Sequence, residues 1–341
     1  MKQLAITSEI KSAAKKYADN LFVDKGDKFV QPVDALKNLI TDLNEVNDEL
    51  EHRDCYIKYL EEIIKDYDKI KSLLPSKFKR YKKKYDKILK DDLLSVKIKH
   101  RGMNLPSKPE ERLRLDIKNE VFYMAIVERM HYKDTRPYLG PLMEHLGINT
   151  CVYCNIYPAF SSEKKEEVYY PFDHYMPKEK YPFLSICFYN LNPICPECNG
   201  HKLNNDGKGY QLYVEQEPVR DPFVFVIEMN KIVDGDPKTV KVDFEARHDE
   251  DKTYAEQYDE WYRITEYYNY PSEKRSHYKM IQDIKKHIGS YPKATEDSFR
   301  IKIDRKKLFL EVLGIEDDDK NIFTDLKKKL MLDTANDAKL I

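Results

Sequence analysis

No stretch of this sequence stays apolar long enough to cross a bilayer, and the opening MKQLAITSEIKSAAKKYADN lacks the hydrophobic centre of a secretion signal. A membrane-spanning or exported protein is therefore not expected. The expected location is the cytoplasm, where thiols stay reduced and available to metal. An excess of charge of one sign is missing as well. There are 59 Lys and Arg against 60 Asp and Glu, so the formal net charge is −1 although 35% of residues are charged. This excludes a polycation, and any surface for nucleic acid must be local. Internal duplication and long low-complexity linkers are also absent, which removes repeat architectures. The 341 residues suffice for a sizeable core in two or three domains.

What is present gathers between Cys151 and Asn205. This stretch opens with CVYC, passes through FDHYMPK and closes with YNLNPICPECNGHKLNN. Cys151 with Cys154 and Cys195 with Cys198 form two Cys-x-x-Cys knuckles. Each knuckle turns two thiolates toward one point, and together they supply the four soft ligands of a closed, structural tetrahedral Zn²⁺ site. Cys55 and Cys187 have no knuckle partner and read as small core residues. Between the knuckles, the β-formers of Val168 to Phe172 run into Asp173 and His174. Glu179 to Pro182 reads as a turn, Leu184 to Tyr189 as a return strand, and Pro196 as the first residue of a short helix. The outcome is a strand–strand–helix unit pinned at its ends by zinc.

These residues resemble the HNH, or ββα-metal, endonucleases: Asp173-His174 at the first motif, Asn190-Leu191 at the second, and CNGHK at the third. The resemblance spans Cys151 to Tyr210. It implies a central zinc-stabilised ββα-metal nuclease motif; with the helical and hairpin patterns of the flanks, the expected fold class is α+β, mostly helical, with a β-hairpin after the motif. It also implies hydrolysis of nucleic-acid phosphodiester bonds, with DNA the expected substrate. Such hydrolysis requires a deprotonated water and neutralisation of charge on the phosphorane and leaving oxygen. His174 is the expected general base. Asp173 and Asn199 are the expected ligands of a catalytic Mg²⁺ or Mn²⁺, since hard oxygens suit those ions. Asn190, by resemblance, holds the loop that aims His174. Many family members carry histidine where Asn199 stands, so His201 is a rival ligand. The family pattern often places lysine at Lys178 and Lys202, where a phosphate contact is expected.

The order Cys-x-Tyr-Cys, Asp-His-x-x-Pro-Lys, Asn-Leu and Cys-x-x-Cys-Asn-x-x-Lys is further similar to the HNH nucleases of bacterial anti-phage systems, the Septu and retron-associated group. Such nucleases commonly act with an ATPase, so an ATPase partner is implied.

The flanks divide the chain into a helical region 1–147, the nuclease core 148–210, and a C-terminal region 211–341. Apolar residues repeat every seven positions from Pro32 to Leu74: Leu36, Leu43, Leu50, Ile57 and Ile64 on one row, Leu39, Val46, Leu60, Tyr67 and Leu74 on the other, with Arg53 interrupting the second. One long helix over 32–74 is expected, its seam packed within the chain or against a second protein or copy. The following KFKRYKKKYDKILK interleaves Phe78, Tyr81, Tyr85 and Ile88 with lysines, which reads either as a phosphate-tracking helix or as a solvated face. Helices are expected over Pro109 to Lys133 and Pro141 to His145, ending near Gly147. FVFVIEM and TVKVDFEA around Asp234-Gly235 read as a hairpin. Helices should follow over Tyr254 to Tyr268, Lys274 to Ile288, Glu296 to Leu313 and Asn321 to Leu332. Two other functions fit part of the pattern: a zinc-stabilised nucleic-acid-binding module without catalysis, and an adaptor that uses zinc to fold and the long helix to bind. Neither needs the aspartate, the histidine or the paired asparagines.

Overall fold

A computed structural model of the chain describes residues 3–103, 108–112, 114–155, 157, 159, 161–162, 167–203, 210–215, 219–227 and 241–270. It is a mixed helix-and-strand protein in which the sheets among the described residues are all two-stranded. No helix of the described residues is long and apolar enough to cross a membrane.

The chain begins with β1 (Leu4–Ala5) and α1 (Ser8–Asn20). Thr7 caps α1 by accepting from the amide of Ile10 at 3.3 Å, and Ile10, Ala13, Ala14 and Tyr17 fall on its buried face at helical spacing. The expected helix over 32–74 is instead two, α2 (Pro32–Val46) and α3 (Arg53–Ile70), packed on each other. Asn47 sits at the break. Its side-chain amide donates to the Asp42 and Lys99 carbonyls at 3.1 and 2.8 Å, and its oxygen accepts from the Lys99 amide at 2.8 Å. A chain pinned in this way turns, and His52 takes a left-handed φ of 59° before α3 starts. The turn also shifts the apolar phase. Leu36, Leu39 and Leu43 are buried in α2, but Tyr56, Tyr59, Leu60 and Ile63 are buried in α3, while Ile57 and Ile64 are only half-buried. The seam therefore meets partners inside the chain.

α4 (Phe78–Asp86) and α5 (Asp91–Leu94) follow, then an antiparallel pair of β2 (Lys97–His100) and β3 (Lys118–Val121) with α6 (Pro109–Arg112) between them. Hence the helix expected from Pro109 to Lys133 is a short helix, a strand and α7 (Phe122–Arg129). The β-branched Val121 pairs with Lys97, and Ile117 just before the strand is 51% exposed. α8 (Arg136–His145) begins five residues earlier than expected because Pro137 occupies its first turn, leaving Pro141 inside it. Gly147 ends this region at φ 70°, a conformation glycine adopts without steric cost.

The middle of the chain carries β4 (Ser161–Ser162) paired with β5 (Glu167–Val168), and β6 (Phe172–His174) paired antiparallel with β7 (Leu191–Pro193), followed by α9 (Pro196–Leu203). The expected return strand, Leu184 to Tyr189, is wrong by several residues. Short 3₁₀ turns cover Pro182–Leu184 and Phe188–Asn190, and the strand begins only at Leu191. β8 (Tyr213–Val214) pairs in parallel with β1. β9 (Phe223–Ile227) and β10 (Val242–Ala246) form the expected antiparallel pair, while its Asp234-Gly235 turn lies outside the described residues. The helix expected over 254–268 is divided into α10 (Lys252–Tyr262) and α11 (Ile264–Tyr268) by Arg263 at φ 50°. The three helices expected beyond Lys274 lie outside the described residues. Side chains from all three parts of the chain meet in a continuous core that includes Tyr262 and Tyr268.

Candidate active site

The four knuckle cysteines are all buried, and their sulfur atoms lie within 4.8 Å of one another. Cys154 and Cys195, from different knuckles, bring their sulfurs to 3.9 Å. A tetrahedron with zinc–sulfur bonds of about 2.3 Å has edges of about 3.8 Å, so the donor set fits zinc in number, softness and spacing. Asn155 takes φ 56° and donates its amide to the Cys151 carbonyl at 2.9 Å, which curls the first knuckle. In the second, the Cys198 amide donates to Cys195 Sγ at 3.4 Å. Hydrogen bonding from Cys151, Cys154 and Cys195, with burial, drives the Cys198 thiol far above its ordinary value. Four clustered thiolates need a cation. The C-terminal helices brace this frame, since Tyr258 and Tyr268 donate to the Tyr153 and Cys154 carbonyls at 2.8 and 3.0 Å.

Beside the frame, β6 and β7 bring Asp173 opposite Asn192 and His174 opposite Leu191. Phe172 and Leu191 are apolar and interior, so the strand pair carries its polar residues inward with it. His174 is 7% exposed. Its Nε2 lies 3.0 Å from the Ser185 carbonyl oxygen, which can only accept, so Nε2 carries the proton and donates. Nδ1 has no hydrogen-bond partner among the described residues. Burial pushes the imidazole down to about 3, leaving the ring neutral, and the nearby Lys178 and Lys202 charges act in the same direction.

Asp173 is also buried. Its Oδ2 accepts from the Tyr153 hydroxyl and from the Lys202 ammonium. Burial pushes the carboxyl up against the opposing pull of Lys202 and Tyr153. Lys202 further donates to the His174 carbonyl at 2.8 Å and lies over the Tyr153 ring. It spans Asp173 and His174.

Asn190 is fully buried and fastens the loop after β6. Its Oδ1 accepts from the Met176 amide at 2.7 Å, and its Nδ2 donates to the Met176 and Leu184 carbonyls at 3.3 and 3.2 Å. The Asn190 carbonyl also accepts from the Tyr175 amide at 2.9 Å. These contacts fix the residues that follow His174 to those that precede Ser185. Asn199 follows Cys198 on α9 and is half-buried. His201 turns toward α11, with Nε2 3.5 Å from the Tyr267 hydroxyl, and belongs to no group of metal-ligating side chains with Asp173 among the described residues. Lys178 is half-buried in the loop after β6.

Four contributors escaped the motif reading. Tyr153 lies within CVYC and Asn192 within NLNP. Asn192 donates to the Tyr210 carbonyl at 2.7 Å, and its Oδ1 is buried without a partner. Ser185 acts through its carbonyl, which no side-chain pattern reveals. Tyr132, from the helical region, lays its ring 4.4 Å from the His174 ring and donates its hydroxyl to the Phe172 carbonyl. Its contribution depends on tertiary packing alone.

No family model matches the chain, and no solved structure matches it. Among curated proteins, it is similar to the Septu protein PtuB of Bacillus thuringiensis, at 34% identity over 89 residues. The match covers 26% of this chain and 30% of the length of that protein, and it links this chain to a Septu protein over that stretch.

Proposed function

We propose that this protein is a metal-dependent HNH-type endonuclease that hydrolyses phosphodiester bonds of nucleic acid, DNA first, in Septu-like anti-phage defence. The observation that carries the reading is the setting of His174. Its Nε2–H is fixed by the Ser185 carbonyl, while Nδ1 keeps a lone pair with no partner among the described residues. A neutral imidazole held by one nitrogen and available at the other is what a general base requires. Burial alone makes this base weak. An anionic phosphate beside it favours the imidazolium and raises its proton affinity as the substrate arrives.

Asp173 and Asn199 supply hard oxygen donors that suit Mg²⁺ or Mn²⁺, and Lys202, now on the Asp173 carboxylate, would yield that place to the ion. When bound, the ion would supply charge neutralisation at the phosphate. Asn190 keeps the Ser185 carbonyl and His174 in register through its bonds to Met176 and Leu184. The zinc set holds β7 and α9 to the first knuckle and takes no part in the chemistry. The similarity to a Septu protein supports the defence role, and an ATPase partner belongs to the same reading.

Incubation with duplex DNA, single-stranded DNA and RNA, in Mg²⁺ or Mn²⁺ and with chelator, tests the proposal. Cleavage in either ion that chelator stops is expected. Intact polymers in every combination, including after addition of ATPases copurified from the native host, would overturn it.

A further inference from the structure

α4 settles the two readings of the lysine-rich segment in different ways on its two sides. Its inner side is structural. Phe78 and Tyr85 are fully buried, Lys82 pairs with Asp86 and Asp91, and Lys84 pairs with Glu62 and Asp66. Two of the eight basic side chains between Lys77 and Lys90 are thus neutralised within the chain. Lys79, Arg80, Lys83 and, just after the helix, Lys87 are exposed and make no ion pair with any described residue. At about 100° per residue they occupy one continuous solvent face, opposite Phe78 and Tyr85.

The opposite, inner side of α4 packs against the loop that holds His174. Tyr85 stacks on Phe183 with ring centres 4.2 Å apart and planes 17° apart, and Lys82 lies over the Tyr181 ring. Two residues beyond Phe183 is the Ser185 carbonyl that fixes Nε2 of His174. From Lys79 to Lys87 the row reaches about 12 Å along the axis. Phosphates of one duplex strand rise about 3.4 Å along the axis per step while also winding around it, so successive phosphates lie farther apart than that and a row of this length meets about two of them. An anionic bilayer is the weaker occupant: membrane-surface helices insert their apolar side, and that side of α4 is already buried in the core.

We infer that the outer face of α4, formed by Lys79, Arg80, Lys83 and Lys87, is a docking track for a polynucleotide backbone. The inference rests on the proposed function for its choice of polymer and adds the surface that grips it. A chain of net charge −1 needs such a local track to hold a polyanion.

Binding of labelled DNA and RNA by the full chain, without added divalent metal so that nothing is cut, tests it across a salt series. The variant Lys79→Gln/Arg80→Gln/Lys83→Gln/Lys87→Gln should bind at least about tenfold more weakly, and its slope of log affinity against log salt should fall by about 1 per lost phosphate contact. Two controls keep the result specific. Arginine at the three lysine positions should preserve binding, and Lys25→Gln/Lys28→Gln/Lys97→Gln/Lys99→Gln, which removes the same charge elsewhere, should leave the slope unchanged. An unchanged slope in the α4 variant, or equal losses in both glutamine variants, would overturn the track while leaving the nuclease reading intact. Failure of the wild type to bind any polynucleotide, or α4-dependent binding only to anionic vesicles, would remove both.

Discussion

Among the described residues, three buried histidines divide between the helical region and the candidate site. His100 and His131 have both ring nitrogens engaged. His100 meets Glu120 and the Arg101 carbonyl, both at 2.9 Å, with Arg129 at 3.1 Å, and His131 meets Asp134 and the Val30 carbonyl at 3.1 and 2.9 Å. His174 is as buried as His131, at 7% exposure, yet holds one partner through Nε2. Burial is common to all three; the open nitrogen sets His174 apart. The same contrast applies to the carboxylates. His100, Glu120 and Glu128 bring ligand atoms within 4.8 Å, but Arg129 donates to Glu128 and to the Arg101 carbonyl, so a guanidinium already stands where a cation would. At the site the compensating cation is Lys202, a flexible chain on a short helix.

The most severe way to break this contrast is to remove the frame. Stripping zinc, or Cys198→Ser, should cost on the order of 10 kcal/mol of metal-linked folding energy. Zinc analysis beside thermal denaturation should show metal and the folded site lost together. Next, Lys202→Met leaves the buried Asp173 carboxylate without its cation and should destabilise by about 3–5 kcal/mol in denaturant titration. Adding Asp173→Asn should return much of that loss; if it does not, the ion pair is not what Lys202 contributes. His100→Ala should cost about 1.5–3 kcal/mol through its bonds to charged partners, while the protein that remains folded cleaves at the wild-type rate. Asn190→Ala should cost about 1–3 kcal/mol by stranding buried Met176 and Leu184 groups, and should also slow cleavage as His174 loses its register. Tyr132→Phe is the smallest, at about 0.5–1.5 kcal/mol for one lost hydrogen bond.

Local chemistry was legible in the sequence, and tertiary pairing was not. The two knuckles, the Asp173-His174 strand end and Pro196 at the start of α9 were visible because spacing and residue type determine them. The return strand was misread because Leu184 to Tyr189 is as apolar as a strand, yet Asn190 gathers that segment into turns through bonds invisible in a one-dimensional pattern. The heptad over 32–74 predicts one helix because its period passes through Asn47, which is held by β2, a partner 52 residues away. Neither Ser185 nor Tyr132 could be assigned to His174 from sequence. One acts through a backbone carbonyl, and the other arrives from a different part of the chain.

The most direct test of His174 as the base is single-turnover cleavage by wild type and His174→Ala, each matched for zinc content and melting temperature, in Mg²⁺ or Mn²⁺. A fall of about 10²–10⁴-fold in the variant is the predicted result. Equal rates in the two proteins would contradict it and leave the open nitrogen of His174 without a role.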